Sequence, residues 1–522
     1  MTLSDQRGWS LSEGGILASI QIVSLMYFLG VESAESATKA IVVDLESATV
    51  VASASSPHGL VEGVSIGSLE QDPVSWIAAL DQAVKECLNS LGPARDQVVA
   101  MSVGAQSKGM VLLDENNSIV RPAKIAGDTS AIKQLQALNR NYGGAPGLSE
   151  LIGNRIEVDS PVTKLLWMKE KERANFQKTR AVMQPREFIN YWLTGIKKAE
   201  AGDASRTGFF DVPGRKWSQP MLNFIDPSLK DMLSPIAGSD KLLGSLRGEI
   251  AQSWGLKQEM IVSIGSGRSM MRALGAGTVD PSTAVLDFGS SGTVWGLSQT
   301  PQVDPRSEVD LWCDGTDRWL SHFTEERAVA SLEMIRKHYG WSGLDMEQAA
   351  SKAPIGSGGL LSLPLGHGAS SSKGEGMLHG ITALNYTQSN IARATLEGIA
   401  SGISFGYHRM AEMDYDFKNI RVTGRGVGSR FWRQLIADVT GVPSCSLVTH
   451  EGAALGAAIH AAVTYFQQGG ENLSFSEMAD YSVLVDESSW CEPNEASHDF
   501  YLEQLSRKQY LAETLIGAGF LV

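Results

Sequence analysis

Cysteine is scarce in this chain: four residues among 522, at Cys87, Cys313, Cys445 and Cys491, scattered and forming no Cys-x-x-Cys pair. That argues against a disulfide framework and reads as free thiols in a reducing cytoplasm. Positive charge is in deficit, with 44 Lys and Arg against 58 Asp and Glu, a net charge of −14 and a pI near 5.2. Non-specific binding to nucleic acid or to an anionic membrane is not expected, and a polyanionic ligand would need local positive charge. Long hydrophobic runs are missing. The most apolar N-terminal stretch, Ile16–Leu29, is too short to span a bilayer and is interrupted by Ser19, Gln21 and Ser24. As a signal peptide it has only Arg7 for a basic region. There are no low-complexity tracts.

The composition that remains, 43% hydrophobic and 20% charged, is ordinary for a globular protein, and the length suggests two or more domains. Tyr27-Phe28-Leu29-Gly30-Val31 reads as the first core strand, which leaves residues 1–25 as an extension and Met26 as a candidate start of translation. Phe28–Asp44 has an apolar run, a small-residue turn and a second apolar run; Ala284–Leu297 repeats that plan. Two such hairpins half a chain apart point to a duplicated α/β fold. Their turns can bring backbone N–H groups close to phosphate. Between and after them the pattern predicts a helix over 73–91, strands at Val98–Val103 and Met110–Asp114, and helices over 160–195 broken at Pro185. It also predicts a helix over Ile391–Met413, a helix ended by Gly441 and Pro443, and a tightly packed Ala-rich helix over Gly452–Tyr465. Residues 466–522 say little.

Leu69-Glu70-Gln71-Asp72-Pro73, with Trp76 behind it, resembles a segment of FGGY-type carbohydrate kinases, closest in pattern to xylulokinases. The other landmarks follow in the family's order. They include Met101–Asp114 with Arg121-Pro122-Ala123, Gly127-Asp128-Thr129, Lys164–Trp167, Leu193–Gly195 and Asp203–Gly208. Ala392–Gly398, Gly424–Trp432 and Ala453–Ala458 complete the set. The resemblance covers about Met26 to Phe466. It implies two actin-like (RNase H-like) ATPase domains of α/β class with a cleft between them: a sugar-binding domain over 26–270, a nucleotide-binding domain over 271–470, and a C-terminal extension over 471–522. It implies ATP with Mg²⁺ as cofactors, and a small-molecule sugar and nucleotide as ligands; a homodimer is compatible with it.

The resemblance also assigns roles position by position. Where the family's first phosphate turn runs Asp-x-Gly-Thr-x-Ser, this chain has Glu32-Ser33-Ala34-Glu35-Ser36-Ala37. Glu32 keeps a carboxylate for Mg²⁺. Ala34 replaces a glycine that lets backbone approach phosphate, and the Glu35 charge would repel a nucleotide by roughly 1–4 kcal/mol. Lys39 reads either as a partial neutraliser or as a solvated strand residue. The second turn, Gly289-Ser290-Ser291-Gly292-Thr293, retains hydroxyls and exposed N–H groups suited to phosphate, and Asp287 before it reads as structural or as a relocated acid. At the adenine turn, Gly424-Arg425-Gly426, Arg425 is either a stacking partner or an obstruction.

In the sugar pocket Gln106-Ser107-Lys108-Gly109 replaces Gln-x-His-Gly, and Asp128 either accepts from a sugar hydroxyl or caps a helix. The largest departure is Arg268, which stands where the family has its catalytic aspartate, in a register anchored by Ala273–Gly277. An arginine stays protonated and cannot act as a base; loss of a positioned base costs about two to four decades of rate. Arg268 is suited instead to bind a phosphate, favouring a sugar phosphate or other anion over a neutral sugar. The departures at Glu35, Lys108, Arg268 and Arg425 read as physically independent. Two functions remain open: a weak or altered ATP-dependent pentulose kinase, and a pseudokinase that binds sugar, sugar phosphate or nucleotide for regulation. An actin-like or chaperone ATPase is disfavoured by the segments Glu70–Trp76 and Gln106–Asp128.

Overall fold

The computed structural model describes residues 26–45, 47–288, 291–325, 328–363, 376–424, 429–449 and 451–520. Two mixed sheets organise it. In the first, Tyr27–Ser33 and Ala37–Asp44 form the antiparallel hairpin read from the sequence, and Thr49–Pro57 extends it. On its other side Val98–Ala105 pairs parallel with Tyr27–Ser33, followed by Ile261–Ser263 and then Leu242–Ser245. The second sheet repeats the arrangement. Thr283–Phe288 and Gly292–Ser298 form its hairpin, and Trp319–Glu325 pairs antiparallel beside it. Asn419–Gly424 and Ser444–Ser446 run parallel on the far side. Each sheet thus places its opening hairpin beside a further antiparallel strand on one side and two parallel strands on the other, which is the duplication the two hairpins suggested; Leu242–Ser245 in the first sheet and Asp310–Cys313 in the second add an antiparallel edge strand at opposite ends of this shared pattern.

The elements arise from local chemistry. Helix Pro73–Leu91 starts where Asp72 accepts from the Val74 N–H and Pro73 pre-sets the first turn; Leu80, Val84 and Leu88 bury one face against the first sheet, while Trp76 packs with Val111 and Phe188 in a neighbouring cluster. Pro185 does not break a helix internally. It opens one, Pro185–Thr194, which Gly195 ends at a φ of 79°. Helix Arg430–Thr440 ends at Gly441 as expected. The uninformative C-terminal stretch folds into helices Phe475–Ser482 and Glu495–Gly517, so its mixed composition hides two packed helices rather than loop.

One apolar core joins the two halves. Phe28, Ile41 and Ala100 of the first sheet meet Val285, Trp295 and Trp312 of the second through helices Arg268–Gly275 and Gly452–Gln468. Helix Arg268–Gly275 runs across the expected 270/271 boundary, and helix Gly452–Gln468 packs on strands Tyr27–Ser33 and Val98–Ala105. The four cysteines are unpaired and buried. No helix among the described residues is long and apolar enough to cross a membrane. Residues 1–25, and with them any role of the extension, lie outside the described residues.

Candidate functional site

The first hairpin turn, the start of helix Arg268–Gly275 and the end of strand Thr283–Phe288 converge on a network of charges. Arg268 is the first residue of its helix, which sets its guanidinium over the first turn. Its Nε donates to Glu32 Oε1 at 2.5 Å, and Nη1 lies 3.3 Å from Glu35 Oε2. Burial disfavours its charge, but Glu32 and Glu35 hold its pKa above the usual arginine range, so it stays protonated. The departures at Glu35 and Arg268 are therefore not independent: each supplies the charge that the other needs. Glu32 is thus ion-paired to Arg268, and Arg268 engages two carboxylates through Nε and Nη1.

Neighbouring charges are matched as well. Arg272 Nη2 lies 2.8 Å from Asp287 Oδ1. Burial pushes the Asp287 carboxyl up to about 6, although Arg272 and Arg268 oppose the shift. Lys39 is neither a neutraliser of the turn nor a solvated residue: it pairs with Glu451 at the start of helix Gly452–Gln468. Among the described residues no group of three or more His, Cys, Asp or Glu could hold a metal ion. As folded, the first turn does not fit Mg²⁺ and a triphosphate, because its one inherited carboxylate is ion-paired and Glu35 adds a second negative charge. Of the second turn, Ser291 and Gly292 lie within the described residues, and a side chain at Gly292 would collide with Ile403. Gly424 has a φ of 98°, and a Cβ there would collide with Phe288, so only glycine suits. Ser290, Arg425 and Gly426 lie outside the described residues.

The Gln106 loop is held against the first turn. The Gln106 N–H donates to Ser33 O at 2.7 Å, and its side-chain Nε2 donates to Gln71 Oε1 at 2.9 Å. Gln71 is shared: its Oε1 also accepts from Trp76 Nε1, and its Nε2 donates to Glu35 O at 2.6 Å. The Glu-Gln-Asp-Pro…Trp signature is thus the brace of the first turn. Among the described residues Ser107 Oγ is buried without a partner and lies 3.1 Å from where a Cβ on Gly267 would sit; Asp203 Oδ1, likewise without a partner among them, lies 3.4 Å from that point.

Lys108 has a φ of 64°, a strained conformation for a non-glycine residue at a turn. Its Nζ pairs with Glu157 and, at 3.0 Å, with Asp159. Burial would lower its pKa, but those two carboxylates raise it, while Lys108 in turn draws Glu157 down to about 2. Asp128 is not a helix cap, since helix Ile132–Tyr142 begins after Ala131. It is wholly buried, accepting from Lys124 Nζ at 2.9 Å and from the Leu69 N–H at 3.0 Å. Asp159 links it indirectly to Lys108 by accepting from the Gly127 N–H at 2.8 Å. Thus Glu32, Arg268, Gln106 and Ser107 come together around one turn, while Asp128 stands behind as part of the scaffold.

Sequence reasoning missed the residues around the Lys108 ammonium. Lys108, Arg155, Glu157, Arg206, Asp310 and Trp312 line a small cavity between the two halves. The one available signal was that a lysine in place of histidine needs carboxylate partners; nothing local identifies them.

Comparison with known proteins agrees with this architecture. Residues 27–275 match the N-terminal domain of the FGGY family of carbohydrate kinases, and residues 323–465 match its C-terminal domain. The chain is 29% identical over 496 residues to a xylulose kinase of Haemophilus influenzae, covering 92% of this chain and 99% of the relative. It is 27% identical over 484 residues to one of Staphylococcus epidermidis, covering 92% and 95%. Its fold superposes on a gluconate kinase from Lactobacillus acidophilus with a TM-score of 0.87 at 22% identity, covering 94% of this chain and 98% of that one. With the duplicated sheets, the shared core and the ordered motifs, these matches establish that the chain belongs to the FGGY family of carbohydrate kinases.

Proposed function

We propose that this chain is a pseudokinase of the xylulokinase type, a cytoplasmic protein that keeps the family's sugar cleft and has lost efficient phosphoryl transfer from ATP. The observation that carries this reading is the Arg268–Glu32–Glu35 cluster. It puts a permanent cation where the resemblance places the base, and it occupies the carboxylate that would stand near Mg²⁺. ATP and Mg²⁺, if they bind, must separate these charges, so nucleotide affinity is expected to be weak. The test is ADP release from Mg-ATP by the pure protein over a panel of pentuloses, with Arg268→Ala as the control for contaminating kinases. The reading expects no sugar-dependent release above that control.

A second reading, a working sugar kinase with a relocated base, is favoured by Asp287. Its buried carboxyl, pushed up to about 6, suits a group that takes a proton near neutral pH. It expects release that rises as pH passes about 6 and is lost in Asp287→Asn.

A further inference from the structure

Arg268 is occupied by carboxylates, but a second guanidinium at the cleft is not. In the cavity between the halves, Lys108 is matched by Glu157 and Asp159, and Arg155 lies 3.8 Å from Glu157 and 3.4 Å from Asp310. Arg206 has no carboxylate within ion-pair distance among the described residues. Its side chain lies over the Trp312 ring, 4.3 Å from the centroid, while His322 stacks on the same indole at 3.8 Å. A guanidinium seated over an aromatic ring is partly pre-ordered, and its in-plane donors match a carboxylate or phosphate two at a time. The surrounding cations and carboxylates largely cancel one another. Burial pushes the Asp310 carboxyl up to about 6, which leaves it mostly ionised at neutral pH, so an incoming anion must be held by Arg206 against this charge. His322 stays neutral, since burial holds its pKa well below the usual value.

We propose that Arg206, seated on Trp312, is the recognition residue for an anionic group, carboxylate or phosphate, at the far end of a sugar ligand held beside Lys108. The proposal rests on the reading that this cleft binds a sugar, and it names the class: an acidic or phosphorylated sugar rather than a neutral one. It gives the cleft an anion subsite on the side of the sugar away from the first phosphate turn.

The test is titration calorimetry of the full chain, without nucleotide, against D-xylulose, D-gluconate and D-xylulose 5-phosphate. At least one anionic ligand should bind about tenfold or more tightly than D-xylulose. Arg206→Gln should abolish that margin, weakening the anionic ligand about tenfold more than it weakens D-xylulose. Arg206→Lys keeps the charge and stem but not the planar fork, so it should retain part of the margin; it also serves if the Gln variant melts early. The tighter of the two anionic ligands identifies carboxylate or phosphate as the preferred group. D-xylulose binding as tightly as both anions, or equal weakening of all three ligands in Arg206→Gln, would overturn the proposal while leaving the sugar-cleft reading intact. Binding of none of the three would overturn both.

Discussion

At the scale of single residues, Gln71 explains more of the site than any predicted catalytic position. One buried amide ties Trp76, Gln106 and the Glu35 carbonyl together. Gln71→Ala leaves the Trp76 and Gln106 donors and the Glu35 carbonyl unsatisfied. It is expected to destabilise the protein by about 1–3 kcal/mol, measured by urea unfolding. The motif was legible because its spacing is local, but its bracing role was not, since Glu35 and Gln106 are distant in sequence. Arg268 shows the same limit. Its identity and position were readable, yet its pairing with Glu32, 236 residues away, was not, and four substitutions read as separate included a matched pair. Glu187 supplies a pH signature. Burial, with Asp203 adding to it, raises its carboxyl from 4.5 to about 7 although Ser234, Arg186 and the Gln184 backbone favour its charge. The folded state therefore binds the proton more tightly than the unfolded state, so this contribution is complete below about 4.5 and is lost as pH rises through about 7. Glu187→Gln should flatten the fall in Tm between those values and raise Tm at pH 8 relative to the parent.

At the scale of elements, the joint between the halves is a helix crossing built on glycine. A Cβ at Gly456 would collide with the backbone of Met271, and one at Gly275 with the backbone of Gly452. Helices Arg268–Gly275 and Gly452–Gln468 therefore touch backbone to backbone, and the crossing sets where Arg268 stands. Gly456→Leu should prise them apart, costing about 1–3 kcal/mol or more in urea unfolding, with little of it recoverable by side-chain rearrangement. The Ala- and Gly-rich composition announced close packing, but not against which partner. The C-terminal helix Glu495–Gly517 was not legible at all. Its buried contacts are polar: Tyr501 OH donates to Glu397 Oε1 at 2.8 Å, and Lys508 Nζ donates to Ser401 Oγ at 2.9 Å. A pattern of apolar spacing does not register such anchors.

At the scale of the whole molecule, the duplicated sheets and the family were readable, because hairpins, caps and ordered motifs are local features that survive extensive substitution. The cleft chemistry was only half readable, because the charges that decide it come from both halves: Glu32 and Glu35 from the first turn, Arg268 and Arg272 from the connecting helix, Asp287 from the second sheet and Glu451 from the helix behind. These ion pairs lie across the region where a kinase of this family would place metal and phosphate. We expect these ion pairs to act as a unit, which a set of variants in the sugar-dependent ADP-release assay will reveal. The parent, Arg268→Asp and Glu35→Thr should all stay at background. Arg268→Asp alone leaves Glu32 and Glu35 facing a third carboxylate, and Glu35→Thr alone leaves the guanidinium on Glu32. The double variant, which replaces both members of the pair, should release ADP above background. Turnover by the parent, or full turnover restored by Arg268→Asp alone, would contradict the account.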